Sequence, residues 1–387
     1  MSAEPSVSAI DCVVAGNRLR LLSGGIERFD ALIGMIEAAT RSIRVLFYMF
    51  TEDEAGLLVL QALTRAAARG IDVRLLLDEF GSGAIRPAFL DPLAEAGGHH
   101  CIFHPTFGRR YLIRNHQKMI VIDDEAAIIG GANINQHYLA DEGPQHWRDI
   151  WLAIDGPAVV ELGDYFDSLE RWVRQPKPLI RKLRRIITSH SRSPGPVSWR
   201  FSGPMRKHNP WPVQIVKDIL AAKRLDIVAA YFSPSRAMLR RIGGVVDRGG
   251  TARLVTAAKS DNHATIAAAR FTYGRLLKWG VRIFEYQPAK FHTKLYIADD
   301  IVHVGSANFD FRSIYLNLEM MLRVEDRAFA AAMRAFVESE IAQSVEITPA
   351  VHRSRATWLR RLRWAASNFL VTTMDYTVTR RINFGVE

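Results

Sequence analysis

A strand–helix–strand pattern occurs once in each half of this 387-residue sequence, and this repeat limits the possible folds more than any other feature. Residues 42–78 and 225–256 each contain an apolar run that ends in a tyrosine, an amphipathic segment, a glycine and a second apolar run with an arginine. Short apolar runs that alternate with helical segments are typical of a mixed or mostly parallel sheet covered by helices. The sequence therefore predicts an α/β protein with one such unit in each half.

Each unit is followed by the same motif, in which histidine, any residue and lysine precede four residues and an aspartate, and a Gly-[Gly/Ser]-x-Asn segment comes next. The members of the two copies are His116, Lys118, Asp123 and Asn133 in the first half and His292, Lys294, Asp299, Ser306 and Asn308 in the second. One copy would occur by chance in many proteins. Two copies at matching places in two repeats indicate a duplicated functional site.

The spacing within the motif predicts where its side chains point. Residues i and i+2 of an extended strand lie on the same side, so His116 and Lys118 face one way, as do His292 and Lys294. If the two halves pack about a pseudo-twofold axis, the repeated side chains meet at one seam. The seam would then hold two imidazoles, two ammonium groups and two asparagine amides.

Such a set of groups suits a phosphodiester substrate. The lysines and amides can bind the nonbridging oxygens and stabilise the charge that grows on a pentacoordinate phosphorus. One neutral imidazole can attack phosphorus, and the other, protonated, can give its proton to the leaving oxygen. Because the two lysines supply positive charge and no cluster of metal ligands occurs at the usual spacing, we expect neither a metal nor a cofactor.

The doubled motif resembles that of the phospholipase D superfamily in its two-motif form. Within this superfamily, the longer stretches YQPAKFHTKLYIADD, GSANFDFRSIYLNLE, GGANIN and WRDIWLAIDGPAV are most similar to the bacterial cardiolipin synthases. The resemblance covers most of the chain, over residues 25–345. It implies two α/β/α halves related by a pseudo-twofold axis, with one active site at the seam.

The resemblance also implies a role for each motif residue and a phosphohistidine intermediate, with His116 as the nucleophile. The catalytic residues would be His116, Lys118, Asp123, His292, Lys294 and Asp299. The substrate phosphate would be bound by the two lysines together with Asn133, Asn308 and Ser306. The first copy departs from the pattern at Gly131, which stands where Ser306 stands in the second copy and lacks its hydroxyl.

Each histidine needs an acid on its other nitrogen to set its tautomer and orientation. The motif aspartates Asp123 and Asp299 are candidates for this role. Asp149 and Glu319 are rivals, because they occupy equivalent places after the two motif asparagines. We favour Asp149 and Glu319 as the orienting residues, and the alternative is that they form salt bridges with neighbouring arginines.

Positive charge is concentrated in two segments. The chain has a formal net charge of +11, and residues 171–217 are basic, rich in proline and free of Asp and Glu. Arginines also alternate with apolar residues between Arg353 and Trp364, as in an interfacial helix. These segments predict an anionic partner, and the alternatives are a solvated linker and a C-terminal helix packed on the protein.

The charge distribution and the repeat together divide the chain into four regions. Residues 1–170 are predicted to form the first phospholipase D-like half, and residues 218–345 the second. Residues 171–217 are interpreted as a basic, proline-rich connector. Residues 346–387 are interpreted as a basic, amphipathic C-terminal segment.

Three function classes fit the motif. The first is a phosphatidyltransferase of the cardiolipin synthase type, which moves a phosphatidyl group between phospholipid or glycerol hydroxyls. The second is a phospholipase D that uses water as the acceptor, and the third is a nuclease of the same superfamily. The RSIYLNLE stretch and the aromatic–arginine C-terminus favour lipid. The expected partners are therefore anionic phospholipids and a membrane surface, and nucleic acid is not expected.

The expected location is cytoplasmic, at the inner face of a bacterial cell membrane. No apolar run reaches the length of about 18–20 residues that a spanning helix needs. Cys12 and Cys101 are too few for a disulfide framework, which favours a reducing compartment. We therefore expect a protein that binds the membrane peripherally.

Overall fold

The computed structural model describes residues 10–104, 113–143 and 145–373. The first half contains β1 Asp11–Val14, β2 Asn17–Leu22, α1 Gly25–Ala38, β3 Ser42–Phe47, α2 Glu54–Ala68, β4 Asp72–Asp78, α3 Glu79–Ser82, α4 Asp91–Glu95, β5 His99–Phe103, β6 Lys118–Ile122, β7 Ala126–Gly130, β8 Trp147–Arg148, β9 Trp151–Asp155 and α5 Ala158–Val173. A basic helix, α6 Ile180–Ser189, leads to the second half.

The second half contains β10 Val197–Ser202, α7 Pro210–Ala221, β11 Arg224–Ala229, β12 Phe232–Ser233, α8 Arg236–Asp247, β13 Thr251–Ala257, α9 His263–Lys278, β14 Arg282–Tyr286, β15 Lys290–Phe291, β16 Lys294–Ala298, β17 Ile301–Gly305, β18 Phe309–Asp310, α10 Phe311–Tyr315, β19 Glu319–Glu325, α11 Arg327–Ala342 and β20 Ser344–Glu346. Two further helices follow, α12 Pro349–Arg355 and α13 Trp358–Thr373.

Each half is built on an eight-stranded mixed sheet. The strand order is β1-β2-β9-β7-β6-β3-β4-β5 in the first sheet and β10-β19-β17-β16-β11-β13-β14-β20 in the second. One central strand of each sheet has a parallel neighbour on one side and an antiparallel neighbour on the other. This strand is β3, between β4 and β6, in the first sheet and β11, between β13 and β16, in the second. The repeat in the sequence is thus a repeat of sheet topology, which confirms the prediction of two similar α/β halves.

The two sheets pack against each other through alternate residues of their central strands. Met119 and Val121 of β6 belong to the same hydrophobic cluster as Leu295 and Ile297 of β16. The side chains between them face the other way, where Ile120 packs with the helices of the first half. These strands are continuous apolar runs because both faces of each sheet are buried.

The structure corrects the predicted boundary between the halves. Within the segment 171–217, β10 pairs with β19 of the second sheet, and α7 packs in the core of the second half through Trp211. Pro210 and Pro212 lie in the first turn of α7, where a missing N–H costs no hydrogen bond. The connector is therefore shorter than predicted, because these prolines begin a helix rather than mark a loop.

Residues 346–373 of the C-terminal segment fold back onto the second half, and residues 374–387 lie outside the described residues. Both α12 and α13 pack on α9, and Arg355 forms an ion pair with the buried Glu285 at 3.0 Å. Among the described residues, no helix combines the length and the apolar composition that crossing a membrane requires.

Candidate active site

The two motif histidines lie at the seam between the sheets, each just before the strand that begins at its motif lysine. Backbone hydrogen bonds across the seam hold them there. The N–H of His116 donates to the carbonyl of Leu318 (2.9 Å), and the N–H of His292 donates to the carbonyl of Arg148 (2.8 Å). Short parallel bridges, one of them between β8 and β15, support these bonds. Each half thus positions the histidine of the other half in the same way.

Each histidine is paired with a carboxylate from the opposite half. Nδ1 of His116 lies 3.0 Å from Oε2 of Glu319, and Nδ1 of His292 lies 2.6 Å from Oδ2 of Asp149. Both carboxylates are fully buried. An imidazole whose Nδ1–H donates to a carboxylate presents a basic Nε2 to a substrate. The structure therefore places Asp149 and Glu319 where orienting acids would lie.

The arginines next to these two acids have other partners. Arg148 forms an ion pair with Glu340 at 2.7 Å, and Arg323 forms one with Asp218 at 3.1 Å. The geometry therefore does not favour the alternative interpretation, in which the acids serve these arginines.

The motif lysines are buried beside the histidines. Nζ of Lys118 donates to the carbonyl of His116 (2.6 Å), and Nζ of Lys294 donates to the carbonyl of His292. Burial lowers the pKa of Lys118 to about 7 and that of Lys294 to about 8, against the opposing effect of the two carboxylates. Burial likewise lowers the pKa of both histidines. A bound phosphodiester anion would favour the charged forms of all four groups.

The predicted phosphate-binding residues have different surroundings. Asn133 is buried, and its Oδ1 accepts the N–H of Met49 at 3.3 Å. Oδ1 of Asn308 is buried and has no hydrogen-bond partner among the described residues. Ser306 instead donates its hydroxyl proton to Oε2 of Glu319 at 2.6 Å. In this geometry Ser306 holds the carboxylate of Glu319, and a contact between its hydroxyl and phosphate stays a prediction.

The position of Asp149, the orienting acid that pairs with His292, explains why the first copy of the motif has Gly131 where the second has a serine. A Cβ added at Gly131 would lie 2.5 Å from Oδ1 of Asp149, so no side chain fits there. In the second half Glu319 has a longer side chain, and Ser306 occupies the corresponding place and bonds to it. The missing hydroxyl is therefore a consequence of how Asp149 packs.

The motif aspartates are not part of the cluster. Asp123 and Asp299 follow the far ends of β6 and β16, about 16 Å along each strand from the lysines. Their carboxylates accept backbone N–H groups at the start of the neighbouring central strand, from Ser42 (2.7 Å) and Arg224 (2.8 Å). The structure therefore corrects their predicted catalytic role, because they fix the turn that ends each motif strand.

Sequence reasoning did not single out the aromatic rings that contact the histidines. His292 is surrounded by three rings at centroid distances of 5.2, 5.4 and 5.9 Å, those of Tyr138, Trp147 and Tyr231. His116 contacts Tyr48 at 4.9 Å. Tyr48 and Tyr231 end the first apolar run of each repeat, just after β3 and β11, and their equivalent places in the sequence could have indicated a shared role. Among the described residues, His292 therefore contacts more aromatic rings than His116 does.

A buried acid behind His116 was also missed. Asp78, at the end of β4, is 1% exposed, and its Oδ2 accepts the N–H of Asn115 at 2.7 Å. Burial raises the pKa of Asp78 to about 6. The repeat does not point to Asp78, because the equivalent strand of the second half, β13, ends in Ala257 instead of an acidic residue. Asp78 thus fixes the backbone next to His116 in the first half alone.

The duplicated sheets and the doubled histidine site define a phospholipase D-like protein. The family model described as "Cardiolipin synthase, PLD-like domain" matches residues 32–169 and 216–341, which include both motifs. The chain therefore belongs to this family, the phospholipase D-like cardiolipin synthases.

Individual relatives agree with this assignment. Cardiolipin synthase A of Pseudomonas aeruginosa (strain UCBPP-PA14) is 34% identical over 350 residues, which cover 88% of this chain and 70% of that protein. Cardiolipin synthase of Listeria monocytogenes serotype 4b (strain F2365) is 31% identical over 353 residues, which cover 89% of this chain and 73% of that protein.

A solved structure matches the fold over nearly the whole chain. Phosphatidylserine synthase of Haemophilus influenzae Rd KW20 superimposes with a TM-score of 0.70 at 16% identity, over 95% of this chain and 97% of that one. At this identity the match supports the two-half fold alone.

Proposed function

We propose that this protein is a phosphatidyltransferase of the cardiolipin synthase type, which moves a phosphatidyl group from one phospholipid to a hydroxyl of a second lipid or of glycerol. The observation that carries the proposal is the pair of histidine–carboxylate contacts built across the seam, each beside a buried lysine. The names of the relatives supply the substrate class, a phospholipid.

Binding of the phosphodiester uses the positive charge at the seam. The ammonium groups of Lys118 and Lys294 and the amides of Asn133 and Asn308 would surround the nonbridging oxygens. These donors are buried, so their interaction with developing charge on phosphorus is stronger than in water. The anionic substrate would in turn replace the histidine carbonyls as the partner of each ammonium group.

The reaction would proceed in two displacements. In the first, Nε2 of the nucleophilic imidazole, assigned to His116 by the resemblance, forms a bond to phosphorus as the bond to the leaving oxygen breaks. The second imidazole, that of His292, gives its proton to this oxygen, and the leaving alcohol departs. In the second displacement, the acceptor hydroxyl gives its proton to His292 and attacks phosphorus, and the bond to His116 breaks.

The products of labelled phosphatidylglycerol in detergent test the proposed function. A transferase of this type forms cardiolipin and glycerol from two molecules of phosphatidylglycerol. Release of phosphatidic acid as the main product would show that water is the acceptor and would support the hydrolase instead. Cleavage of DNA without any lipid product would overturn both lipid activities.

We further propose that the protein acts at the inner face of a bacterial cell membrane, bound to it peripherally. The support is the lipid substrate class of the relatives and the excess of basic over acidic residues, which gives a formal net charge of +11. Anionic lipids attract basic segments by about 1 kcal/mol per Lys or Arg near the surface.

Turnover is expected to survive metal chelation. The ammonium groups of Lys118 and Lys294 lie at the seam and supply the positive charge that a divalent ion would otherwise bring to the phosphate. The measurement is turnover of phosphatidylglycerol before and after dialysis against EDTA, with added magnesium as the control. Loss of turnover with EDTA and its recovery with magnesium would contradict this account of the charge.

The dependence of kcat/KM on pH is expected to be bell-shaped. On the acid side, kcat/KM rises with pH as the nucleophilic imidazole, that of His116, loses its proton, and burial lowers the pKa of His116 below the usual histidine value. On the alkaline side kcat/KM falls as the general acid, the imidazole of His292, and the two lysines lose their protons, and burial lowers the pKa of all three groups. Burial lowers the pKa of Lys118 to about 7 and that of Lys294 to about 8, so this limb begins far below the usual lysine range.

The measurement is kcat/KM on a short-chain soluble phosphatidylglycerol between about pH 4 and pH 10, and the apparent values belong to the coupled groups together. A profile that stays flat across this range would contradict the mechanism.

A further inference from the structure

The helix α13 is apolar on two opposite faces. One face packs on α9, where Trp364 is 8% exposed and clusters with Ala267. The other face carries Trp358, Leu359 and Leu362, which are 73%, 55% and 63% exposed. At about 100° of rotation per residue, Trp358, Leu359 and Leu362 project about 120°, 140° and 160° away from Trp364. The outer face is therefore not a continuation of the packed one.

Arginines flank this outer face. Arg361 and Arg363 lie on its two sides, and both side chains are exposed, as is Arg360. The sequence from Thr348 to Thr373 contains no Asp or Glu. An apolar stripe between rows of cations is the pattern of a helix that lies in the interface of an anionic bilayer. Two copies of this face would instead bring like charges together, which disfavours a dimer through it.

The position of α13 connects this face to the active site. His352 contacts the ring of Tyr273 near the C-terminal end of α9, whereas Trp364 meets Ala267 near its N-terminal end. The C-terminal segment thus runs antiparallel to α9, towards the edge of the sheet that holds the site. There α13 contacts β12, which directly follows Tyr231, whose ring centroid lies 5.9 Å from that of His292.

An ion pair fixes the C-terminal segment in this position. Arg355 pairs with Glu285, which is 1% exposed and also pairs with Arg270 of α9 at 2.8 Å. Arg355 therefore holds α12 on the protein and is not part of the outer face. The experiment below leaves it unchanged, so that docking and folding can be separated.

We propose that the outer face of α13, formed by Trp358, Leu359 and Leu362 and flanked by Arg361 and Arg363, is the surface that docks the protein on an anionic phospholipid bilayer. The apolar side chains enter the boundary between headgroups and acyl chains, and the arginines meet lipid phosphates. Docking through this face brings the edge of the second sheet that holds the active site close to the membrane. The proposal rests on the proposed function for its choice of a phospholipid bilayer as the partner.

The test compares two double variants that each replace two exposed leucines by serine. Leu359→Ser with Leu362→Ser changes the outer face of α13. Leu57→Ser with Leu58→Ser is the matched control, because these leucines are 46% and 41% exposed on α2 of the first half. Flotation with vesicles of phosphatidylglycerol and phosphatidylcholine measures binding, and a melting curve checks that both variants fold.

The expected result is a loss of vesicle binding of about tenfold or more for the α13 variant, from the apolar area that no longer leaves water, and a change within about twofold for the control. Arg361→Gln with Arg363→Gln should weaken binding to these vesicles, and wild-type binding to pure phosphatidylcholine vesicles should be weak. Equal binding of the α13 variant and the control, or equal wild-type binding to both vesicle types, would overturn the proposal. A change in oligomeric state of the α13 variant without a loss of flotation would also overturn it and assign the face to self-association.

Turnover separates this proposal from the proposed function. The α13 variant should lose turnover on vesicles but keep the wild-type rate on a short-chain soluble phosphatidylglycerol. If the wild type transfers no phosphatidyl group in either format, the proposed function fails. The flotation result still decides whether α13 docks, because vesicle binding does not require turnover.

Discussion

Replacement of either His116 or His292 by alanine is expected to reduce turnover by about 10⁴–10⁶-fold, and the double variant should be hardly worse than either single one. The two imidazoles act on the same phosphorus, and each step needs both of them. His116 and His292 are held by equivalent bonds across the seam, so neither half has a complete site of its own. Once one histidine has been removed, little turnover remains for the removal of the second histidine to reduce.

The measurement is turnover of phosphatidylglycerol in detergent, with melting curves to show that each variant folds. His99→Ala is the control, because His99 is exposed on the edge strand β5, and this variant should keep the wild-type rate. Retention of a tenth of the activity by either single variant would contradict a shared site.

A substrate with a good leaving group separates the two histidine roles. A p-nitrophenyl phosphodiester needs little help from a general acid, so the variant that lacks the acid should regain much of its rate. The variant that lacks the nucleophile should not, because it forms no bond to phosphorus. Recovery in His292→Ala but not in His116→Ala would support the assignment made here, and the reverse pattern would exchange the two roles.

Much of the fold was predictable because the chain repeats itself. The apolar runs before and after each glycine are strands of the two sheets, and the apolar ends of β3 and β11 are buried. The i, i+2 spacing placed each lysine beside its histidine. The sequence also indicated which acids orient the histidines, because Asp149 and Glu319 occupy equivalent places after the two motif asparagines. The sequence could not show that each pair crosses between the halves.

The remaining errors came from residues whose roles depend on tertiary contacts. Asp123 and Asp299 share a motif with the histidines, but a strand separates them from the site, and backbone N–H groups occupy their carboxylates. Pro210 began a helix where proline richness suggested a connector. Asp78 could not be recognised from the repeat, because its partners are backbone N–H groups that any residue other than proline could supply.

Replacement of the orienting acids, by Asp149→Asn or Glu319→Gln, is expected to reduce turnover by about 10²–10⁴-fold with little change in KM. Each amide keeps the size of the acid, but its neutral oxygen neither fixes the Nδ1–H tautomer as firmly nor stabilises the imidazolium that forms during the reaction. Asp149 and Glu319 contact the histidines rather than the substrate, so they are positioning residues.

The pH profile distinguishes positioning from a merely structural role. The carboxylate of Asp149 raises the pKa of Lys294, and that of Glu319 raises the pKa of Lys118, against the larger effect of burial. Loss of either negative charge lowers the pKa of the facing lysine, so the alkaline limb of kcat/KM should move to lower pH in both variants. An unchanged limb would contradict the electrostatic link between acid and lysine.

Ser306→Ala provides a graded comparison on one side of the site. It removes the hydroxyl that donates to Glu319 at 2.6 Å, but Ser313 still donates to the same carboxylate at 2.8 Å. The charge on Glu319 remains, so the loss of turnover should be about tenfold or less, and the alkaline limb should stay in place. If Ser306→Ala were as damaging as Glu319→Gln, the serine would have to act on the substrate itself, as the resemblance first suggested. The ratio of these two variants therefore decides between support of the carboxylate and a direct contact with phosphate.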